Sequence, residues 1–242
     1  MIKPHTTFPR LASSCAIIVA IGSTSLLAHA DGPTVAPDRN IGASDALPYD
    51  GLGYGLAIDG SRMLVGARGS DSVALNGGVI YTYARSTSGW TQSSKIIFPT
   101  AAIDDQIGTS LAMSGTVGIA GAPNRGLSGA AFPLRFDGGA WFPTAELTDS
   151  TAGTNANFGA SVAASSSRIV VGAPNSSEGV GAGAGRVRIF DLSGVQWIVG
   201  QLLRAPYMDP NDQFGFAIAI DGEWLAISAP GDDDRAINSG AV

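Results

Sequence analysis

Cysteine, histidine and lysine are nearly missing from this chain. Its 242 residues contain one Cys and two His, and His5, Cys15 and His29 all lie in the first thirty positions. That opening stretch carries Lys3 and Arg10, then an apolar run from Leu11 to Leu27, then Ala28-His29-Ala30. Basic, apolar and small segments in that order form a secretory leader, with cleavage expected between Ala30 and Asp31. Cys15 precedes most of the apolar run, a poor context for lipidation, and goes with the leader. The product would then have neither His nor Cys, which excludes thiol nucleophiles, disulfides, Ser-His-Asp triads and zinc sites built on Cys or His. No later stretch approaches the about 20 apolar residues of a spanning helix. A secreted, periplasmic or cell-surface location without a transmembrane segment is expected.

Positive charge is scarce as well. Without Lys3 and Arg10, 12 Lys plus Arg face 20 Asp plus Glu, a formal charge of −8, and Lys95 is the one lysine left. Nucleic acid is excluded as a partner, because neutralising phosphates needs a basic face. Only Glu146, Glu178 and Glu223 are glutamates. The remaining acids are aspartates, a residue suited to turns and to oxygen-ligand metal sites.

Glycine is abundant, with 33 residues, and it marks a repeat. Four segments align without gaps: LGYGLAIDGSRMLVGARG from Leu52, IGTSLAMSGTVGIAGAPN from Ile107, FGASVAASSSRIVVGAPN from Phe158 and FGFAIAIDGEWLAISAPG from Phe214. Their second-position glycines, Gly53, Gly108, Gly159 and Gly215, are 55, 51 and 56 residues apart. A period near fifty with strand patterning predicts an all-β fold, a β-propeller with about one four-stranded antiparallel blade per repeat.

Within a unit, apolar residues three and five places after the glycine flank an invariant alanine (Ala57, Ala112, Ala163, Ala219). That alternation is a strand, and the small residue suggests an innermost strand crowded where blades converge. Asp59-Gly60, Ser114-Gly115, Ser165-Ser166 and Asp221-Gly222 then supply a tight hairpin. A second, continuously apolar strand follows. The third strand is placed at Gly77, Gly129 and Gly185, with Pro133 demoting the second copy to an edge or a bulge. Trp90, Trp141 and Trp197 open the outer strand, where packing is favoured over a ligand-stacking role.

Phe158-Gly159 with Gly172-Ala173-Pro174, and Phe214-Gly215 with Ser228-Ala229-Pro230, resemble the FG and GAP elements of FG-GAP repeats of secreted bacterial, integrin-α-like propellers. The second unit keeps Gly121-Ala122-Pro123 but has Ile107 for Phe; the first has Leu52-Gly53 and Gly66-Ala67-Arg68. The resemblance assigns structural roles to Gly53, Gly66, Gly108, Gly121, Pro123, Phe158, Gly159, Gly172, Pro174, Phe214, Gly215 and Pro230. It implies that some blades bind calcium through a D-x-[DN]-x-[DN]-G loop between these two strands. Here 13 residues separate the two motif glycines, or their equivalents, in all four units. Only a tight turn fits, so calcium at that place is not expected. Asp232, Asp233 and Asp234 remain the weak metal candidates, although consecutive carboxylates rarely all face one ion. No cofactor is required.

The organisation expected is a leader over 1–30, a lead-in over 31–48 and repeats over 49–242, divided near 49–102, 103–153, 154–209 and 210–242. The fourth unit contains only the opening of its third strand, so the expected propeller is incomplete, with three blades and half of a fourth. Its exposed blade faces and strand edges would favour self-association. Three functional readings stay open. The favoured one is an extracellular binding or adhesion scaffold for a protein or glycan ligand. The others are a propeller-type polysaccharide hydrolase or lyase using paired carboxylates, and a structural module of a larger surface protein.

Overall fold

The computed structural model describes residues 17–18 (backbone only), 40–177, 181–236 and 239–242. The expected leader cleavage site and Glu178 lie outside them. The chain divides into two compact units, Met1–Gly42 and Ala43–Val242. In the first, β1 (Ile17–Ile18) pairs antiparallel with β2 (Asn40–Ile41).

The sheets of the second unit are antiparallel meanders among its described residues, with isolated parallel bridges Gly129–Phe158 and Gly185–Phe214 between successive units. Blade 1 contains β3 (Leu52–Asp59), β4 (Arg62–Ala67), β5 (Val79–Ser86) and β6 (Gly89–Ile96), adjacent in sheet order as in sequence. Blade 2 repeats the pattern with β7 (Ser110–Ser114), β8 (Val117–Ala122), β9 (Ala130–Asp137) and β10 (Ala140–Pro143). Blade 3 does so with β11 (Ser161–Ala164), β12 (Arg168–Ala173), β13 (Arg186–Ser193) and β14 (Gln196–Leu203). A half-blade follows, β15 (Ile218–Asp221) paired with β16 (Trp224–Ile227). The all-β fold of successive four-stranded blades is the one the repeat predicts.

The first hairpin of each unit turns on two residues. Gly60, Gly115 and Gly222 have φ of 58°, 59° and 56°, as a tight turn joining twisted strands demands of its first central residue. Blade 3 makes the turn of the same length without glycine, the Ser165 amide donating to the Arg168 carbonyl at 2.8 Å.

Side-chain alternation divides each inner strand between two neighbours. Leu111 and Met113 pack with Leu64, Ile80 and Ile96 of the preceding blade. Val162 and Ala164 do the same with Val117 and Ile119, and Ile218 and Ile220 with Val170, Val187 and Ile189. The invariant alanines point the other way: Ala57, Ala112 and Ala163 join the clusters shared with the following blade. The crowding expected at these alanines is thus between successive blades. Strands β8 and β12 are enclosed on both sides, with Val117 to Ala122 and Ile169 to Ala173 buried, which explains their unbroken apolar character. Full burial of Phe158 or Phe190 contributes about 1.5–3 kcal/mol each.

One sequence expectation holds and one needs adjustment. Pro133 lies inside blade 2, where β9 pairs with β8 on one side and β10 on the other, and it sits beside a bulge: its carbonyl accepts from the Thr144 amide at 2.8 Å, and the register set by the Pro143–Leu134 pair has slipped by one residue at the Leu147–Ala131 bridge. The third strand of blade 1 begins at Val79, one residue later than the Gly77 alignment implied. The positive-φ glycine before it is Gly78, matching Gly129, Gly185 and Gly240. In the half-blade Ala229 and Ala241 form an antiparallel bridge, at the same position as Ala67–Val79 and Ala173–Arg186.

Candidate functional site

In a meander of this kind the β3–β4 and β5–β6 hairpins lie at one end of the blade. The β4–β5 loop and the crossing to the next blade lie at the other. The repeat motif sits at this second end, where it performs a mechanical task.

The motif glycines Gly108, Gly159 and Gly215 have φ of 89°, 94° and 92°. Their amides donate to the carbonyls of Gly121, Gly172 and Ser228 in their own units, at 3.0, 2.9 and 3.0 Å. Their own carbonyls rest on the preceding blade: a Cβ built on Gly66, Gly121 or Gly172 would overlap the carbonyl oxygen of Gly108, Gly159 or Gly215 respectively. Glycine is therefore obligatory twice over, for backbone angle on one side and for contact distance on the other. The Ser110 hydroxyl donates to the Gly159 carbonyl at 2.7 Å, and the Ser161 hydroxyl to the Gly215 carbonyl at 2.6 Å. Blade 1 has Gly55 in the serine position, pressed against the Gly108 carbonyl. These two serines carry no recognised motif, and their only signal in the sequence is recurrence two residues after the glycine. Phe158 and Ile107 are fully buried, Phe158 in the cluster between blades 2 and 3 and Ile107 in that between blades 1 and 2. Isoleucine thus does the work of the aromatic.

A model of the FG-GAP repeat matches residues 38–83, 141–190 and 197–242, more than half of the chain. The chain belongs to the FG-GAP repeat family. The second motif copy falls outside the matched segments, yet its Gly108 and Gly121 make the same interlock as the others. Among solved structures, the N-terminal domain of Nup159 is similar at 9% identity with a TM-score of 0.38, over 72% of this chain and 38% of that one. The chain therefore spans less than two thirds of that domain. No curated protein matches.

The segments leading into each FG element share an unusual backbone. Tyr49, Asp104, Asn155 and Asn211 have positive φ four residues before the motif glycine. Gly51, Gln106, Asn157 and Gln213 repeat this two residues before it. Asn and Asp tolerate this region best among residues with side chains. Between the two lies a buried residue, Asp50, Asp105, Ala156 or Asp212. Each aspartate accepts the amide three positions earlier, Leu47, Ala102 or Asp209, at 2.8, 2.7 and 2.7 Å. The acids gathered before the FG elements thus include carboxylates that cap turns.

Several other charged groups also have structural partners. Asp59 accepts the Gly115 amide of the next blade's hairpin at 2.6 Å. Arg125 joins Asp105, Glu146 and the Thr100 carbonyl. Asp149 accepts from the Thr151 amide and hydroxyl and from Arg186 and Arg188. Burial pushes its pKa up, but the Thr151 hydrogen bonds and the charge and hydrogen bond of Arg188 outweigh that and bring it below the ordinary carboxylate value. Asp45 clips the lead-in to blade 1 by accepting from Lys95 at 2.8 Å and from the Tyr81 hydroxyl at 2.9 Å; the Lys95 bond, followed by that of Tyr81, lowers its pKa.

The weak metal candidates Asp232, Asp233 and Asp234 form a turn after the fourth motif. The Asp232 carboxylate takes the Asp234 amide at 3.3 Å and its carbonyl takes the Gly240 amide at 2.8 Å. Among the described residues no group of three acidic, Cys or His side chains is arranged to hold a metal ion. A cavity of about 590 Å³ beside this turn is lined by residues including Tyr207, Phe214, Ile227, Asp234 and Arg235. Glu223 lies in the exposed β15–β16 turn. Trp141 and Trp197 pack between blades.

What the motif end presents outward is apolar and held in place. Leu75, Ile103 and Leu127 are 57%, 67% and 78% exposed. The Asp104 amide, next to Ile103, donates to the Leu75 carbonyl at 2.9 Å, and the Asn155 amide to the Leu127 carbonyl at 2.7 Å. Polar contacts surround them, among them Asn76 to Asp104 at 2.8 Å and the Asn124–Asn157–Asn175 chain. No helix of the described residues is long and apolar enough to cross a membrane.

Proposed function

We propose that this FG-GAP chain is a non-catalytic, extracellular binding scaffold that meets a protein or glycan ligand at the motif end of its blades. The observation that carries the reading is the exposed set Leu75, Ile103 and Leu127 on loops fixed by backbone hydrogen bonds. Loops on a rigid frame suit recognition because their ordering cost is met during folding. The leader-like opening and the acidic composition support export from the cell. The interlocked glycines and capping aspartates belong to the frame, leaving the loop tips to vary in ligand choice.

The test is to immobilise the secreted protein and probe it with a glycan array and a panel of extracellular proteins. A Leu75→Ser/Ile103→Ser double variant, checked for an unchanged melt, serves as comparison. Capture of a glycan or protein by the parent, with at least about tenfold weaker capture by the variant, is the expected result, since a few residues carry most of the binding energy of such contacts. Equal capture by both, or none by the parent, would sink the reading.

A further inference from the structure

Each following unit of this fold seats on two glycines of the unit before it. One precedes the third strand: Gly78, Gly129 and Gly185 have positive φ, and a Cβ on any of them would strike Ile107, Phe158 or Phe214. The other is the GAP glycine, Gly66, Gly121 or Gly172, which has no room for a Cβ beneath the incoming glycine carbonyl. The half-blade keeps the first of these as Gly240, with φ 72° and nothing closer than 3.5 Å to its virtual Cβ. It lacks the second: Ser228 stands at the GAP position.

The Ser228 side chain is built into the half-blade. Its Oγ accepts the Ala217 amide at 3.0 Å, and the Ser228 amide donates to the Ala217 carbonyl at 3.0 Å. The corresponding pairs in blades 2 and 3 are Ser110 with Gly121 and Ser161 with Gly172, where the hydroxyl comes from the inner strand and reaches the incoming carbonyl. In the half-blade the hydroxyl is on the other strand and turned to its own partner. The incoming carbonyl would therefore lose both its space and its donor.

We propose that Ser228 is an end stop for blade stacking, barring any further FG-GAP unit, including the first blade of a second copy, from docking on the half-blade in the internal register. The rest of that junction is complementary. The half-blade exposes Ala219, Ala226, Phe216 and Trp224. Blade 1 offers Gly53 at φ 93° with exposed Leu56 and Ile58, the positions whose equivalents pack on the preceding blade elsewhere. A head-to-tail contact of that sort is heterologous: it closes into a ring where the rotation per copy allows and propagates where it does not. A single Cβ and its hydroxyl block it, which limits the self-association that open blade faces would otherwise permit.

Two substitutions in opposite directions test this. Ser228→Gly should give about a twofold or greater rise in weight-average mass with concentration, read by light scattering after size exclusion, as a first head-to-tail contact produces. Ile58→Glu in the same chain should abolish that rise, and Ser228→Ala should show none because it keeps the Cβ. Conversely, Gly172→Ser places the stop inside the molecule and should free the half-blade, read as faster proteolysis in 205–213 while blades 1 to 3 keep their strand signal. No mass change in folded Ser228→Gly would overturn the proposal, as would association of the parent that Ile58→Glu abolishes. So would a Gly172→Ser half-blade as protected as the parent's.

Discussion

The junction between blades 2 and 3 and the outward face of the half-blade are made from the same residue positions, with opposite results. At the junction Phe158 is buried, Gly121 lies under the Gly159 carbonyl, and the Ser110 hydroxyl holds that carbonyl in place. On the half-blade the alanine of the inner strand is exposed, Trp224 is 83% exposed, and Ser228 bonds to its own strand partner. The strand pattern creates both surfaces equally. Contact with a neighbour decides which residues become core, so a motif residue is worth as much as the blade resting on it.

The largest effect should come from the buried ring. Phe158→Ala is expected to cost about 3–5 kcal/mol, whereas Phe216→Ala at the half-blade face should change stability by no more than about 0.5 kcal/mol. Chemical denaturation of both variants measures the contrast, and equal losses would break it. Next come the GAP positions. Gly121→Ala forces a methyl against a backbone oxygen and should cost about 2–3 kcal/mol, while Ser228→Ala removes one partly exposed hydrogen bond and should cost about 1 kcal/mol. Calorimetric melting temperatures would rank them.

A smaller difference separates the inner-strand positions. Ser161→Ala leaves the buried Gly215 carbonyl without its hydroxyl donor and should cost about 1–2 kcal/mol. Ala217→Ser, with no incoming carbonyl to meet, should be close to neutral in the same melting experiment.

The last contrast is one of pH, between Asp149 and Asp212. The Asp149 pKa lies below the ordinary carboxylate value, despite burial, because Thr151 and Arg188 hold the charge. The stability it contributes is therefore present above the unfolded-state pKa and is lost as pH falls through the folded one. Burial raises the pKa of Asp212; the Asp209 amide partly offsets this, and the charges of Asp232, Asp209 and Asp233 add to the rise. Its contribution has the reverse sign, present below the unfolded-state pKa and lost as pH rises through the folded one. Asp149→Asn should thus be less stable than the parent at neutral pH, and Asp212→Asn more stable, both differences shrinking on acidification. Melting curves from about pH 3 to pH 7 follow both trends around the ordinary carboxylate range, and a difference that grows toward acid in either variant would contradict the assignment.

Much of the frame was legible in the residues. The period of the four glycines, the Gly60 and Gly222 hairpins and the unbroken apolar run of β12 each follow from local rules, because strand alternation and turn geometry are short-range. The bulge at Pro133 was legible, since a residue without an N–H belongs where the ladder is interrupted; that it lies inside the blade, with β8 and β10 on either side, was not. Nor was the role of Ser110 and Ser161, whose acceptors lie 49 and 54 residues away. Asp50, Asp105 and Asp212 stand in the sequence before three of the four FG elements, but their capping of turns rests on paired positive-φ residues that a sequence does not display.

The sequence by itself determined the strands, their order within each blade, the tight hairpins and the family, because these depend on alternation, glycine spacing and motif recurrence along the chain. Only the tertiary structure decided which glycines are obligatory. At Gly121 and Gly172 the reason is a carbonyl oxygen arriving from the next blade, and the space available to a Cβ is a property of two strands distant in sequence that meet only after folding.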